Sequence, residues 1–354
     1  MLQEIKIEGF KSIKAMDLEL SPINILIGSN GVGKSNFISF FKLVNNIYEQ
    51  RLQRYSMRSG VDNLLHYGRK TTNEIRGYLK FDSNSYSFEL SPTEIDTLFI
   101  SDESPYYHAQ LDLFSDRQNR KESFVKESSI RNDKYLSEQL ESYKIYHFHD
   151  TSISAPLRSK ANVNDNRYLR EDGGNLPAYL YYLQEKHPMS FKRIQKVIQS
   201  VVPFFERFNL LPSSLNDEKI MLEWTEKDHP ETYFNANHLS DGSLRFIALV
   251  TLLMQPELPK VIIIDEPELG LHPSAINKLS GLIKSAAAKD CQIIVSTQSV
   301  TLLNNFDADD IITVDKEDYQ SVFRRLDKEM LSSWMDDYSI GELWTKSVIK
   351  GQAL

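Results

Sequence analysis

Residues 23–41, "INILIGSNGVGKSNFISFF", decide the fold. Ile23, Ile25 and Ile27 keep the period-two spacing of a strand, and Phe37, Ile38, Phe41, Val44 and Tyr48 then recur at helical spacing. Between them "GSNGVGKS", residues 28–35, satisfies G-x-x-x-x-G-K-[ST] in the strand–loop–helix setting that a phosphate loop requires. Gly28, Gly31 and Gly33 let the backbone curl so that its N–H groups meet phosphate oxygens, and the following helix adds its positive end. The pattern predicts nucleotide contacts from Asn30, Gly31, Val32, Gly33, Lys34, Ser35 and Asn36. Lys34 is expected to reach the β and γ phosphates, and the Ser35 hydroxyl to ligate Mg²⁺.

Around this centre, "MLQEIKIEGF" alternates as a strand and lacks the basic and apolar regions of a signal peptide. Leu18 and Leu20 mark a second strand after the break at "GFKS". "EIRGYLKFDSNSYSFEL" predicts an antiparallel hairpin or meander between residues 75 and 100. Residues 101–142 are polar and mixed in charge, and read as an exposed, mobile insertion. "YKIYHFHD" restores a strand, and "GGNLPAYLYYLQEKHP" with "FKRIQKVIQSVVPFFERF" predicts two helices. "KVIIID", "QIIVS", "DIITVD" and "SVFRRL" are strand candidates between helical spacers. Such alternation marks an α/β chain with a sheet covered on both faces. The expected organisation is residues 1–100 as the N-terminal part of a nucleotide-binding lobe, 101–235 as the insertion and a helical lobe, and 236–354 as the lobe's C-terminal part.

Bulk properties bound the function without choosing it. The 354 residues, 41% hydrophobic and 25% charged, suit one large domain or two intimate ones. A net charge of −8 argues against coating nucleic acid by bulk charge, leaving room for a local basic patch. Cys291, the single cysteine, lies in the apolar "CQIIVS" and is expected to be a buried, inert thiol in a cytoplasmic protein. No stretch has the length of apolar sequence that a membrane span needs.

"KVIIIDEPELGLHP" supplies the second half of the chemistry. Asp265, at the end of a buried strand, is placed to hold Mg²⁺ through water, and Glu266 to polarise the attacking water. Any strand of an α/β protein can end in an acidic turn; the phosphate loop in the same chain favours the chemical reading. "HLSDGSLRF", residues 238–246, is by itself a turn and helix cap, yet a serine hydroxyl and N–H groups at a helix start also make an anion site.

The series "GFKSI", "GSNGVGKSN", "LSDGSLRF", "IIIDEPELGLHP" and "STQS" resembles the ABC-type ATPase heads of the SMC, RecF and OLD group, and within it the single-chain bacterial RecF-like ATPases of AAA type. "YHFHDTS", "LREDGGNLPAYLYYL" and "WMDDYSIGELWTKSVIKG" extend the resemblance over nearly the whole chain, the polar insertion least. It implies a P-loop fold with a mixed sheet, an N-terminal antiparallel part and a helical lobe. It also implies that Ser240, Gly242 and Ser243 form a signature motif touching the γ phosphate held by a second copy. Asp241 stands where many relatives have Gly and is expected to turn away. Arg245 could supply positive charge to the phosphate or be an exposed helix residue. "LGLHP" resembles the D-loop, with His272 where transporter heads usually have Asp, and Gln298 takes the place of the switch histidine. His149, Asp150 and Arg158 are weak candidates near the glutamine-loop position.

Two further features invite sharper readings. His147 and His149, two apart on a strand, would face one side, but with no third ligand evident a structural or nucleotide-proximal role is preferred to a metal site. The acidic run "FDADDIITVDKED" could suggest a nuclease; too little chain follows for a Toprim domain, and a solvated loop around an edge strand is expected. The resemblance implies an ATP- and Mg²⁺-dependent switch, with Lys34, Glu266 and Gln298 as catalytic residues. It would dimerise head to head and act on DNA or a nuclease or Toprim-like effector in phage defence or DNA repair, away from membranes. The alternatives are a transporter ATPase subunit and an ATP-sensing scaffold.

Overall fold

Ile23–Ile27 is a strand whose five residues are all buried, as a strand covered on both faces must be. It sits inside a six-stranded sheet between two parallel neighbours. Gln292–Thr297 sets Val295 opposite Ile25, and Ile311–Glu317 sets Ile312 opposite Leu26. Gln320–Arg325 closes one edge, antiparallel to Ile311–Glu317; Val261–Asp265 and Tyr143–Tyr146 extend the other. The computed structural model describes residues 1–107, 110–111, 119–127, 131–335 and 337–349.

The chain divides into two compact units, drawn differently from the three consecutive segments expected. One comprises Met1–Ile145, Pro259–Ile263 and Gln292–Leu354; the other comprises Tyr146–Leu258 and Ile264–Cys291.

In the first unit a second, antiparallel sheet has Leu2–Phe10 between Ile13–Glu19 and Ile75–Phe81, followed by Asn84–Pro92, Leu98–Tyr107 and Gln110–Leu111. The helix after the phosphate loop, Lys34–Tyr48, buries Phe37, Phe40 and Phe41 in the same apolar cluster as Ile5, Ile7 and Phe10. Phe40 meets Phe10 edge-on at 5.6 Å and stacks on Phe88 at 6.0 Å between ring centroids. Each fully buried aromatic ring contributes roughly 1.5–3 kcal/mol, so this cluster fixes the helix, and with it the loop, against the sheets.

Residues 101–142 are not simply an exposed insertion. Glu103, in the Leu98–Tyr107 strand, is buried and accepts hydrogen bonds from the Tyr86 hydroxyl at 2.6 Å, the Ser123 hydroxyl at 2.5 Å and the Phe124 N–H at 3.3 Å. Burial holds its carboxyl above the usual range, the three donors opposing that rise. Leu136 and Leu140, four apart on the helix Arg131–Glu141, enter the core. The expectation of mobility at residues 108–109, 112–118 and 128–130 lies outside the described residues.

The acidic run also differs from expectation. Ile311, Ile312 and Val314 are buried, and their strand lies one in from the edge; the edge strand is Gln320–Arg325. The aspartates before it make a short turn in which Asp310 accepts from the Asp307 N–H.

In the second unit, the helices Pro188–Gln199 and Pro273–Ala287 both pack on Asp241–Met254, and Leu176–Lys186 packs on Pro188–Gln199. Two three-stranded sheets accompany them, one of Phe205–Phe208, Glu223–Glu226 and Tyr233–Asn235, the other of Pro212–Ser213, Asn216–Ile220 and Ala161–Asn162. The strand Tyr143–Tyr146 stops short of His147 and His149, which therefore do not share a strand face as expected.

Candidate functional site

The phosphate loop is shaped by contacts that exclude side chains. Gly31 and Gly33 have φ of 80° and 120°, a region that favours glycine. A Cβ on Gly33 would lie 2.0 Å from the Ser321 Oγ, and one on Gly28 would lie 2.4 Å from the Val314 carbonyl oxygen. Lys34 is buried, its Nζ donating to the carbonyls of Gly28 at 2.5 Å and Ser29 at 2.9 Å, so a cation is held within the loop. The helix Lys34–Tyr48 has no side-chain cap and no acidic residue in its first turn, and Ser35 is exposed there. This start suits a phosphate, and Ser35 offers an oxygen to a hard cation.

Serines bind the loop to distant strands. Ser321 Oγ donates to the Val32 carbonyl at 2.5 Å and is hydrogen-bonded to Ser12 Oγ at 2.6 Å, to which the Asn36 amide also donates at 2.6 Å. Asn36 thus braces the loop from behind. Asn30 accepts from the Gln298 amide at 2.8 Å, so Gln298 is bonded to the loop.

In the second unit, Ser240 is the N-cap of the helix Asp241–Met254. Its Oγ accepts from the Ser243 N–H at 3.2 Å and donates to Ser243 Oγ at 2.9 Å. Gly242 is required: a Cβ there would lie 2.3 Å from the carbonyl oxygen of Gly270, itself at φ 75°. Asp241 is exposed and is drawn to Arg158, whose Nη2 donates to its carboxylate at 2.8 Å. The Arg158 side chain is almost buried and also donates to the carbonyls of Thr151, Ala236 and Leu239.

Arg245 is neither a phosphate ligand nor an exposed residue. It is buried, donating to the carbonyls of Phe148 at 2.8 Å, His149 at 3.0 Å and Leu269. Desolvation lowers its pKa, while Asp241 and Glu268 oppose that shift. A planar fork of donors satisfies three loop carbonyls where a lysine would leave some unmet.

The strand Val261–Asp265 delivers Asp265 and Glu266 at its end, both half-buried. Glu266 sits at φ 39°, a left-handed conformation that costs a non-glycine residue on the order of 1 kcal/mol or more and turns the chain sharply. His149 Nε2 lies 2.7 Å from the Asp265 carbonyl oxygen. One ligand atom each from His147, His149 and Asp265 falls within 4.8 Å of the others, so the histidine pair does have a third potential ligand. Asp150 is turned to Ser152, accepting from its N–H at 3.0 Å. His272 caps the helix Pro273–Ala287, its Nδ1 accepting from the Ser274 N–H at 3.3 Å, a task an aspartate can also perform. Cys291 is buried, and burial pushes its thiol up to about 12, leaving it unreactive near neutrality.

No local pattern announces Ser12, Ser321 or Gly270, whose roles arise from contacts between separate segments. Among the described residues, no helix is long and apolar enough to cross a membrane.

A family model described as "AAA domain, putative AbiEii toxin, Type IV TA system" matches residues 23–304. Among solved structures, an SMC head bound to the C-terminal winged-helix domain of ScpA is similar with a TM-score of 0.61 and 16% identity, over 94% of this chain and 99% of that one. The Old nuclease of Escherichia phage P2 is 37% identical over 71 residues, 20% of this chain and 12% of the nuclease. The energy-coupling factor transporter ATP-binding protein EcfA of Methanocaldococcus jannaschii is 40% identical over 68 residues, 19% of this chain and 23% of EcfA. The match thus spans less than a quarter of either curated relative. With the family model covering both the phosphate loop and the "DEPE" strand, the chain belongs to this AAA family, and it has the P-loop fold of SMC heads.

Proposed function

We propose that the protein is an ATP-hydrolysing switch in which two copies close head to head around two ATP molecules. The phosphate loop of each copy would face Ser240, Gly242 and Ser243 of the other. The carrying observation is that one chain holds both complementary parts: a phosphate loop with an internal lysine and an uncapped helix, and an exposed Ser-Asp-Gly-Ser helix start. Asn30 to Asn36 embrace the triphosphate, with Asn36 acting from behind. Lys34 and the opposing Ser240 stabilise charge on the γ phosphate, Glu266 takes the proton of the attacking water, and Gln298 orients that water. Ser35 and Asp265 would hold Mg²⁺, which supplies charge neutralisation to the phosphate oxygens.

Closure and release would pass to DNA or to a separate effector, a nuclease or Toprim-like protein, in phage defence or DNA repair within the cytoplasm. The similarity to the Old nuclease and to an SMC head solved with a protein partner supports this output. The similarity to EcfA keeps a second reading, a transporter's ATPase subunit.

Glu266→Gln tests the switch. It should trap an ATP-bound dimer, seen by light scattering, while the wild type turns over; absence of both dimer and turnover in the presence of ATP, Mg²⁺ and the copurifying partner refutes it. Ser240→Arg should keep ATP binding to single heads and abolish the dimer. Association of the trapped form with membranes would favour the transporter reading.

A further inference from the structure

His147, His149 and Asp265 belong to one compact unit, and their ligand atoms cluster within 4.8 Å. We propose that they form a site for a borderline divalent transition metal, zinc or cobalt(II), with two imidazoles, one carboxylate and open positions for water.

The setting is that of a built site. The backbone carrying the histidines is pinned on both sides. The His147 N–H donates to the Glu171 carbonyl at 2.9 Å, and Arg245 holds the carbonyls of Phe148 at 2.8 Å and His149 at 3.0 Å. Asp265 ends a strand buried through Ile264, so the third ligand stands on a rigid element. The His149 Nε2 bonds to the Asp265 carbonyl at 2.7 Å, which requires the proton on Nε2 and leaves the lone pair on Nδ1. An imidazole that gives one N–H to a backbone carbonyl has its tautomer and ring plane fixed for metal binding through the other nitrogen. His147 is exposed, giving a path from solvent.

The donor set chooses the ion. Magnesium demands octahedral oxygen ligands and binds nitrogen poorly, whereas two imidazoles and a carboxylate, with a position left open, suit zinc and cobalt(II). If Asp265 also serves Mg²⁺ in hydrolysis, zinc bound here withdraws that carboxylate and slows turnover; this consequence rests on the proposed function, but the site does not.

The test is a titration of chelator-stripped, nucleotide-free full-length protein with Co²⁺, followed by visible d–d absorption, with Zn²⁺ as competitor. One Co²⁺ per chain is expected, displaced by zinc and retained against millimolar Mg²⁺. His147→Ala, an exposed change that spares the fold, should weaken binding by about tenfold or more, and Asp265→Asn likewise. Lys34→Ala, which weakens the phosphate loop, should leave Co²⁺ binding unchanged while ATP binding falls about 100-fold. No d–d band, undiminished affinity in His147→Ala, or loss of the site in Lys34→Ala would each overturn the assignment.

Discussion

Two helix starts in this chain have similar sequence grammar and opposite preparation. Lys34–Tyr48 begins at a glycine with φ of 120°, without a capping side chain or an acidic residue, and keeps a buried ammonium against its own loop carbonyls. Asp241–Met254 begins at Ser240, whose hydroxyl already bonds Ser243, and carries Asp241 in its first turn, neutralised by Arg158. The first is ready for an anion. The second is satisfied alone, and in the proposed dimer it would exchange an internal cap for a phosphate oxygen of the other copy's nucleotide. The lesson is that a composite site can have one half built for affinity and the other for conditional use.

Substitutions at four positions would break or sharpen that contrast. The largest effect is expected from Arg245→Ala, which strips three carbonyls of charged donors one turn into the second helix. It should cost ~3 kcal/mol or more, lowering the melting temperature by roughly 6–12 °C in calorimetry, and Arg245→Lys should recover little. Lys34→Ala should leave stability nearly intact and weaken ATP about 100-fold, roughly 2.7 kcal/mol, by isothermal titration. An unchanged affinity would mean that the first helix start is not the anion site. Ser240→Ala removes the cap and should cost about 1 kcal/mol in urea unfolding. Asp241→Asn dissolves an ion pair with one exposed partner, worth at most roughly 0.5 kcal/mol; its readable effect is tighter ATP-dependent dimerisation as negative charge leaves the site.

What the sequence disclosed follows from range. The strand Ile23–Ile27, the glycine loop, the helix beyond it and Ser240 as an N-cap are local patterns, and each stands where its spacing placed it. Arg245 is not legible in the sequence because its three partners come from residues 148, 149 and 269, and nothing beside it in the chain announces them. The third ligand for the histidine pair was hidden likewise, since Asp265 lies 116 residues from His149. The segment 101–142 misled through composition: a few apolar residues at the right spacing, Leu136 and Leu140, suffice to anchor a mostly polar helix.

The serine brace on the phosphate loop bears on how the protein is made. The Val32 carbonyl takes its hydrogen bond from Ser321, 289 residues later, and both strands that flank Ile23–Ile27 also follow residue 290. A chain emerging from the ribosome therefore displays its nucleotide motif 289 residues before the serine that completes it. Pairings so distant close slowly, and until Ser321 has emerged the nascent chain has a phosphate loop in sequence only. A head assembled in this order completes its phosphate loop only after Ser240 and the helix it caps have been made.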